Sequence, residues 1–163
     1  MTPSHLFFGI ASALVLSGCA VPSRPDGQAL DEGKIKAEAI TTAHARIDAL
    51  NAHDAAQNVS YDRPDIVVMF HGTPNDMGAK ADLATTKTMV GDPLAHVGLS
   101  AESVDAGGPD FAVYHATYDL TTTDLKTKAP AHERGNLLLG FKRRADGALK
   151  VAWEIVSDTP PAR

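Results

Sequence analysis

Three kinds of apolar spacing divide the chain. Leu6 to Leu16 (LFFGIASALVL) is an uninterrupted apolar run. Between residues 34 and 51 the apolar positions recur as Ile35, Ala39/Ile40, Ala43, Ile47 and Leu50, at spacings of three to five, with Lys36, Glu38, Thr42, Arg46 and Asp48 around them. That spacing predicts an amphipathic helix with Arg46 on its polar side. A second short helix is expected from His53-Asp54 to about Tyr61, closed by Arg63-Pro64. Ile66 to Phe70 (IVVMF) predicts a strand, HGTPNDMG a loop, and 79–90 a helix stopped by Gly91-Asp92-Pro93. From Leu94 the pattern changes to long strands over 94–106, 110–123, 132–144 and 148–158, with hairpin signals at Gly107-Gly108-Pro109 and Ala145-Asp146-Gly147. Helices followed by a strand meander predict an α+β layout with the helices on one face of an antiparallel sheet.

The first apolar run is far shorter than the ~20 residues needed to span a bilayer, but it suits the core of a signal peptide. Residues 1–18 hold no Lys, Arg, Asp or Glu, and they lead into Leu16-Ser17-Gly18-Cys19, which resembles the lipobox of bacterial lipoproteins. The resemblance implies cleavage after Gly18 and acylation of Cys19, the sole cysteine. Each buried CH₂ of such an anchor contributes about 0.8 kcal/mol, so several chains hold a domain at a membrane. Ala20, rather than Asp, follows the cysteine, which resembles the pattern of outer-membrane sorting. Residues 19–33 read as a lipidated tether, of which 20–33 reach roughly 45 Å when extended. The expected location is the bacterial cell envelope, facing the periplasm.

Composition narrows the remaining options. Fifteen Lys and Arg against twenty Asp and Glu give a net charge of −5, with 44% hydrophobic and 6% aromatic residues. A mildly acidic, aromatic-poor chain offers no basic face to phosphates and no stacking platform, which argues against nucleic acid as a partner. One cysteine excludes an internal disulfide. The histidines lack metal-ligand spacing, no glycine-rich loop suggests a nucleotide, and no serine sits in a nucleophile elbow, so no cofactor is expected.

Taken in order, several segments resemble one superfamily. They are Leu50-Asn51-Ala52-His53-Asp54, Asp65-Ile66-Val67-Val68, Gly108-Pro109-Asp110-Phe111-Ala112-Val113-Tyr114, Tyr118-Asp119-Leu120-Thr121, Phe141 to Gly147 (FKRRADG) and Trp153 to Asp158 (WEIVSD). Together they resemble the nuclear transport factor 2-like superfamily, in its SnoaL-like and ketosteroid-isomerase-like branch, over residues 34–158, leaving 159–163 as a tail. The resemblance implies a cone: a strongly curved antiparallel sheet wrapped around N-terminal helices, open at one end, and commonly a homodimer. The fold hosts many functions, so function must be argued from the site.

The catalytic residues of ketosteroid isomerases do not carry over. Where their proton-shuttling aspartate ends the first strand, this chain has Met69-Phe70-His71, and where their oxyanion-donating tyrosine stands, it has Arg46. His71, at a strand end before Gly72-Thr73-Pro74, is the one candidate acid or base. Alternation on strand 110–123 puts Ala112, Tyr114, Ala116, Tyr118 and Leu120 on one face and Phe111, Val113, His115, Thr117 and Asp119 on the other. By the resemblance the first face looks inward, joined by Leu137, Leu139 and Phe141 and by Leu149, Val151, Trp153 and Ile155. Residues assigned to ligand contact are Tyr61, Phe70, Tyr114, Tyr118, Leu138 and Trp153. The leading expectation is a lipid-anchored domain that binds a small apolar ligand or a protein partner without catalysis. The rival is an isomerase, cyclase or dehydratase using His71 with Tyr61, Tyr114 or Tyr118 as donors. A third role is assembly through the face bearing Phe111, Val113 and His115. For the anchor, Cys19→Ser is expected to move the protein from the membrane to the soluble periplasmic fraction. Unchanged membrane association on fractionation would refute it.

Overall fold

The computed structural model describes residues 26–159, so the signal segment, the lipobox and Cys19 lie outside the described residues. Three helices, α1 (Asp26–Asn51), α2 (Ala55–Val59) and α3 (Ala79–Val90), accompany six strands. The strands are β1 (Asp62–Phe70), β2 (Asp76–Met77), β3 (His96–Ala106), β4 (Phe111–Thr123), β5 (Pro130–Arg143) and β6 (Leu149–Asp158). They form one curved, unclosed sheet in the order β2-β1-β6-β5-β4-β3. Every pairing is antiparallel except that of β1 with β6. The α+β class and the helix-filled curved sheet match the expectation. Among the described residues no helix is long and apolar enough to cross a membrane.

Helix α1 starts at Asp26, inside the segment expected to be tether. Pro25 immediately precedes it, and proline favours the start of a helix rather than blocking it. Asp54 caps α2, its side chain accepting from the Gln57 N–H at 2.9 Å. Gly78 (φ 86°) precedes α3 and donates its N–H to the Ile66 carbonyl at 2.7 Å, which hangs the helix from β1. The first turn of α3 then carries Asp82 into the interior, where the amide-rich end of the helix favours a carboxylate.

The core lies between α1 and the concave face of the sheet. Ile35, Ala39, Ala43 and Ile47 of α1 share one cluster with Ile66, Val68, Tyr114, Leu139, Phe141 and Val151. Strand β4 alternates as expected: Ala112, Tyr114, Ala116 and Tyr118 are buried, while Phe111, Val113, His115 and Thr117 are half-buried on the other face.

Two bulges decide what faces inward elsewhere. In β6, Val151 pairs with Phe141 but Trp153 pairs with Gly140, so Ala152 is one residue in excess. Leu149 and Val151 face the core before the bulge, and Glu154 and Val156 after it. The expected row Leu149-Val151-Trp153-Ile155 is therefore broken in the middle: Trp153 and Ile155 turn outward and a glutamate turns in. In β3 the register slips between Ser100 and Ser103, with Ala101 at φ 51°.

Gly135 on β5 sits opposite Asp158 and beside Tyr118. A Cβ there would collide with the Ser157 carbonyl oxygen and lie 2.8 Å from Tyr118 Cε1. Gly135→Ala is expected to destabilise the domain by about 1–3 kcal/mol, the range for overpacking. A thermal melt lowered by about 3–10 °C would agree, and an unchanged melt would contradict it.

Candidate functional site

Where α1 and α3 part above the sheet, a partly open pocket of about 180 Å³ remains. Ile47, Leu50, Phe70, Met89, Val97, Leu120, Leu137 and Val156 give it apolar walls. Its polar lining is Arg46, Asn58, His71, Asp82, Thr85, Thr86, Tyr118, Glu133 and Glu154. These groups fall into a buried floor and a half-exposed mouth.

The floor is built around Arg46. The periodicity of α1 put this residue on the polar side of the helix; the structure buries it, 2% exposed, against three carboxyl groups. Its Nε donates to Asp62 Oδ1 at 3.0 Å, and its Nη2 donates to Glu154 Oε2 at 2.7 Å and to Asp82 Oδ2 at 3.4 Å. The carboxyls come from the start of β1, the first turn of α3 and the segment of β6 beyond its bulge. Asn58 of α2, fully buried, donates its Nδ2 to the Arg46 carbonyl at 2.8 Å. That bond fixes the amide orientation and leaves Asn58 Oδ1 without a donor.

Charge on this floor does not balance. Burial raises the Asp62 carboxyl to about 8 despite the neighbouring Arg46 guanidinium, with Asp82 and Glu154 adding to the rise, and its Oδ2 is buried without a partner. Burial also raises Glu154, with Arg46 opposing. Arg46 itself is held more firmly protonated by its three acidic partners than burial alone would allow. Three carboxyl groups thus face one guanidinium, and burial favours a proton on Asp62 at neutral pH.

The mouth is formed by His71, Glu133 and Tyr118. His71 ends β1, its backbone N–H bonded to the Val156 carbonyl at 3.1 Å, and its Nε2 lies 3.9 Å from Glu133 Oε2. The other oxygen of Glu133 accepts a short hydrogen bond from the Tyr118 hydroxyl. Desolvation and this bond raise Tyr118 well above the usual phenol value, so it stays a donor. An open vestibule lined by Thr73, Pro74, Asn75 and Asp76 shares Phe70, Thr85 and Met89 with the pocket.

The expected contact residues divide. His71, Phe70 and Tyr118 line the pocket. Tyr114 is wholly buried in the core, its hydroxyl donating to Glu102 at 2.8 Å, and is not among the lining residues. Tyr61 sits outside it, accepting from Gln57 Nε2 at 2.9 Å beneath the Lys150 ammonium. Trp153 and Leu138 are on the opposite face of the sheet, Trp153 edge-on to Phe111 and 4.4 Å from Lys142 Nζ. Sequence reasoning missed Asn58, Asp62, Asp82, Glu133 and Glu154. A carboxylate inside the apolar run VAWEIV was the one available signal. Among the described residues no group of three or more His, Cys, Asp or Glu is placed to hold a metal ion.

Comparison with known proteins rests on structure, since no family model and no curated sequence matches the chain. A protein of the nuclear transport factor 2-like superfamily from Salmonella enterica superposes with a TM-score of 0.71 at 12% identity, covering 80% of this chain and 95% of that one. The fold is that of the nuclear transport factor 2-like proteins. A ketosteroid isomerase-like protein from Erwinia carotovora shares this fold with a TM-score of 0.68 at 19% identity, over 77% of this chain and 96% of the other. A protein from Catenulispora acidiphila in complex with S-DNPA does so with a TM-score of 0.64 at 16% identity, over 78% and 95%. Nuclear transport factor 2-like folds of this kind include ligand-binding and isomerase or dehydratase members.

The raised Asp62 carboxyl fixes the sign of a pH effect. Its folded-state value near 8 lies above the unfolded 3.8, so the folded state binds more protons between about pH 4 and pH 8. Asp62 therefore contributes stability that is full below that window and lost as pH rises through it. Glu154 acts in the same direction. Urea midpoints of the wild type are expected to fall from about pH 5 to about pH 8.5, with a shallower fall in Asp62→Asn. Equal slopes in the two proteins would show that Asp62 is not the group responsible.

Proposed function

We infer that this chain is a lipid-anchored domain of the bacterial cell envelope that binds a small, largely apolar molecule. The observation that carries the binding half is the pocket at the α1–α3 divergence, with apolar walls over an ionisable floor. A hollow of about 150 Å³ suffices for a single aromatic ring, and apolar walls with few convergent polar groups are the usual makeup of a small-molecule site. The Catenulispora relative with S-DNPA bound supports the same use of the fold. The anchoring half rests on Leu16-Ser17-Gly18-Cys19 and the apolar run before it. Homodimerisation is part of this reading, through the outer sheet face where Phe111, Val113, Leu138 and Trp153 are half-buried and Ile155 is 38% exposed.

One arrangement favours a second reading, acid–base catalysis on a small hydrophobic substrate. His71, Glu133 and Tyr118 form a chain at the mouth, above a floor whose Asp62 carboxyl is raised by burial. An isomerase or dehydratase needs a base near the reacting carbon and a donor facing the developing oxyanion. Here His71 is the base and Tyr118 the donor. If this reading holds, His71→Gln abolishes turnover of the recovered ligand while leaving its binding intact.

Native mass spectrometry of the full-length protein from its own host is expected to show an added small organic mass. Met89→Trp, which fills the passage between vestibule and pocket, is expected to remove it. A protein free of adduct that also fails to bind one-ring compounds at millimolar concentration would overturn the binding reading.

A further inference from the structure

The geometry points to a cationic ligand: the pocket takes a small apolar molecule bearing a protonated amine, whose ammonium group settles among Asp82, Glu154 and Asn58 Oδ1. The inference rests on the ligand-binding reading and names the class of ligand.

Two features of the floor and one of the mouth support it. Asp62, Asp82 and Glu154 oppose a single guanidinium, whose Nε and Nη2 are already engaged by them. Those carboxyls are 1–6% exposed, where an uncompensated charge costs several kcal/mol. The free protein meets part of that cost by keeping a proton on Asp62, whose carboxyl burial raises to about 8 and whose Oδ2 is buried without a partner. An ammonium ion can replace the proton, neutralising the same surplus while its apolar body fills the walls.

The second feature is Asn58, which is fully buried on the pocket lining. Its Nδ2 is committed to the Arg46 carbonyl, so its Oδ1 is a buried acceptor with no donor. Such an atom costs about 1–3 kcal/mol until a donor arrives. An ammonium has three N–H donors and no acceptor, which fits a floor of unfilled acceptors. A carboxylate or phosphate ligand would meet like charge.

The mouth has the same sign. Beyond Arg46, His71 is the only basic side chain among the lining residues, and it lies 3.9 Å from Glu133, which adds a further carboxylate. The groups facing the floor are thus Arg46 from α1, Asp62 from β1, Asp82 from α3 and Glu154 from β6, with His71 and Glu133 above them.

The test is calorimetry on the full-length protein with three isosteric probes: benzylamine, benzyl alcohol and benzoate. Benzylamine is expected to bind at least about ten-fold more tightly than benzyl alcohol, and benzoate not to bind. Benzylamine affinity should rise from about pH 6 to about pH 8, because the buried proton must leave as the cation enters. Its heat should accordingly vary with the ionisation enthalpy of the buffer. Asp82→Asn should bring the amine-to-alcohol ratio close to one while leaving benzyl alcohol binding in place. That control reports on the pocket if the variant is less stable. If benzyl alcohol binds as tightly as benzylamine, or benzoate binds best through Arg46, the amine proposal fails and the ligand reading survives. If none of the three binds, both fall together.

Discussion

The buried guanidinium of Arg46 holds this domain in its shape. It reaches carboxyls 16, 36 and 108 residues away in sequence, on β1, α3 and β6. Through them the end of the long helix is tied to three elements that would otherwise meet it only through apolar contact. Such an assembly is costly to create, since each ion loses its hydration, yet costlier to break. Removing one partner of a buried pair typically loses about 3–5 kcal/mol because the other charge stays behind unpaired. Arg46 is therefore better understood as a constraint on where α1, α3 and the sheet lie than as a source of net stability.

The same constraint explains why the domain has a hollow. An apolar gap between helix and sheet is removed by small shifts that bring walls into contact. Here the floor consists of groups that cannot be covered by Leu or Val without leaving Asn58 Oδ1 and the carboxyls permanently unmet. The walls follow the hydrophobic effect, the floor resists it, and a pocket persists where the two conditions meet. Glu154 is central, because it faces inward only through the single extra residue at Ala152.

That bulge also marks the limit of what the sequence disclosed. Helix α3 was legible over 79–90 because a helical period is framed by Gly78 and by Gly91-Asp92-Pro93. The inward face of β4 followed from an alternation uninterrupted from Ala112 to Tyr118. Strand β6 begins with the same alternation, and only the carboxylate of Glu154 inside its apolar run hints that it inverts after Val151. Arg46 was misplaced for a related reason. A helix pattern marks a charged residue as solvent-facing unless its counterions are known, and those stand on elements remote in sequence. The apolar part of the fold is written locally; the polar part of the site is written in pairs of distant residues. Leu138 and Trp153 illustrate the complementary difficulty, for an aromatic or leucine on a strand suits either face equally, and Tyr61 lies in the turn before β1 rather than on the sheet.

Strand β4 carries one more consequence of such pairing. Tyr114 and Tyr118 lie four residues apart on one face, and each donates its hydroxyl to a glutamate on a neighbouring strand: Glu102 on β3 and Glu133 on β5. Each glutamate also lies near a histidine, His44 at 2.5 Å and His71 at 3.9 Å. The two chains share a chemistry but not a setting. The Tyr114 hydroxyl lies in a core contact and Glu102 opens toward the outer side of α1, so that chain seals the sheet to the helix beside the strained Ala101. Tyr118, Glu133 and His71 all line the pocket. Both phenols are held protonated by burial and by their carboxylate partners, so both remain donors at neutral pH. Only the second can meet a molecule held over the Arg46 floor. The tighter His44–Glu102 pair lines a separate, more open groove with Ile47, Asp48, Asn51, Val97 and Leu99, away from the Arg46 floor, so the two chains face different spaces on either side of α1.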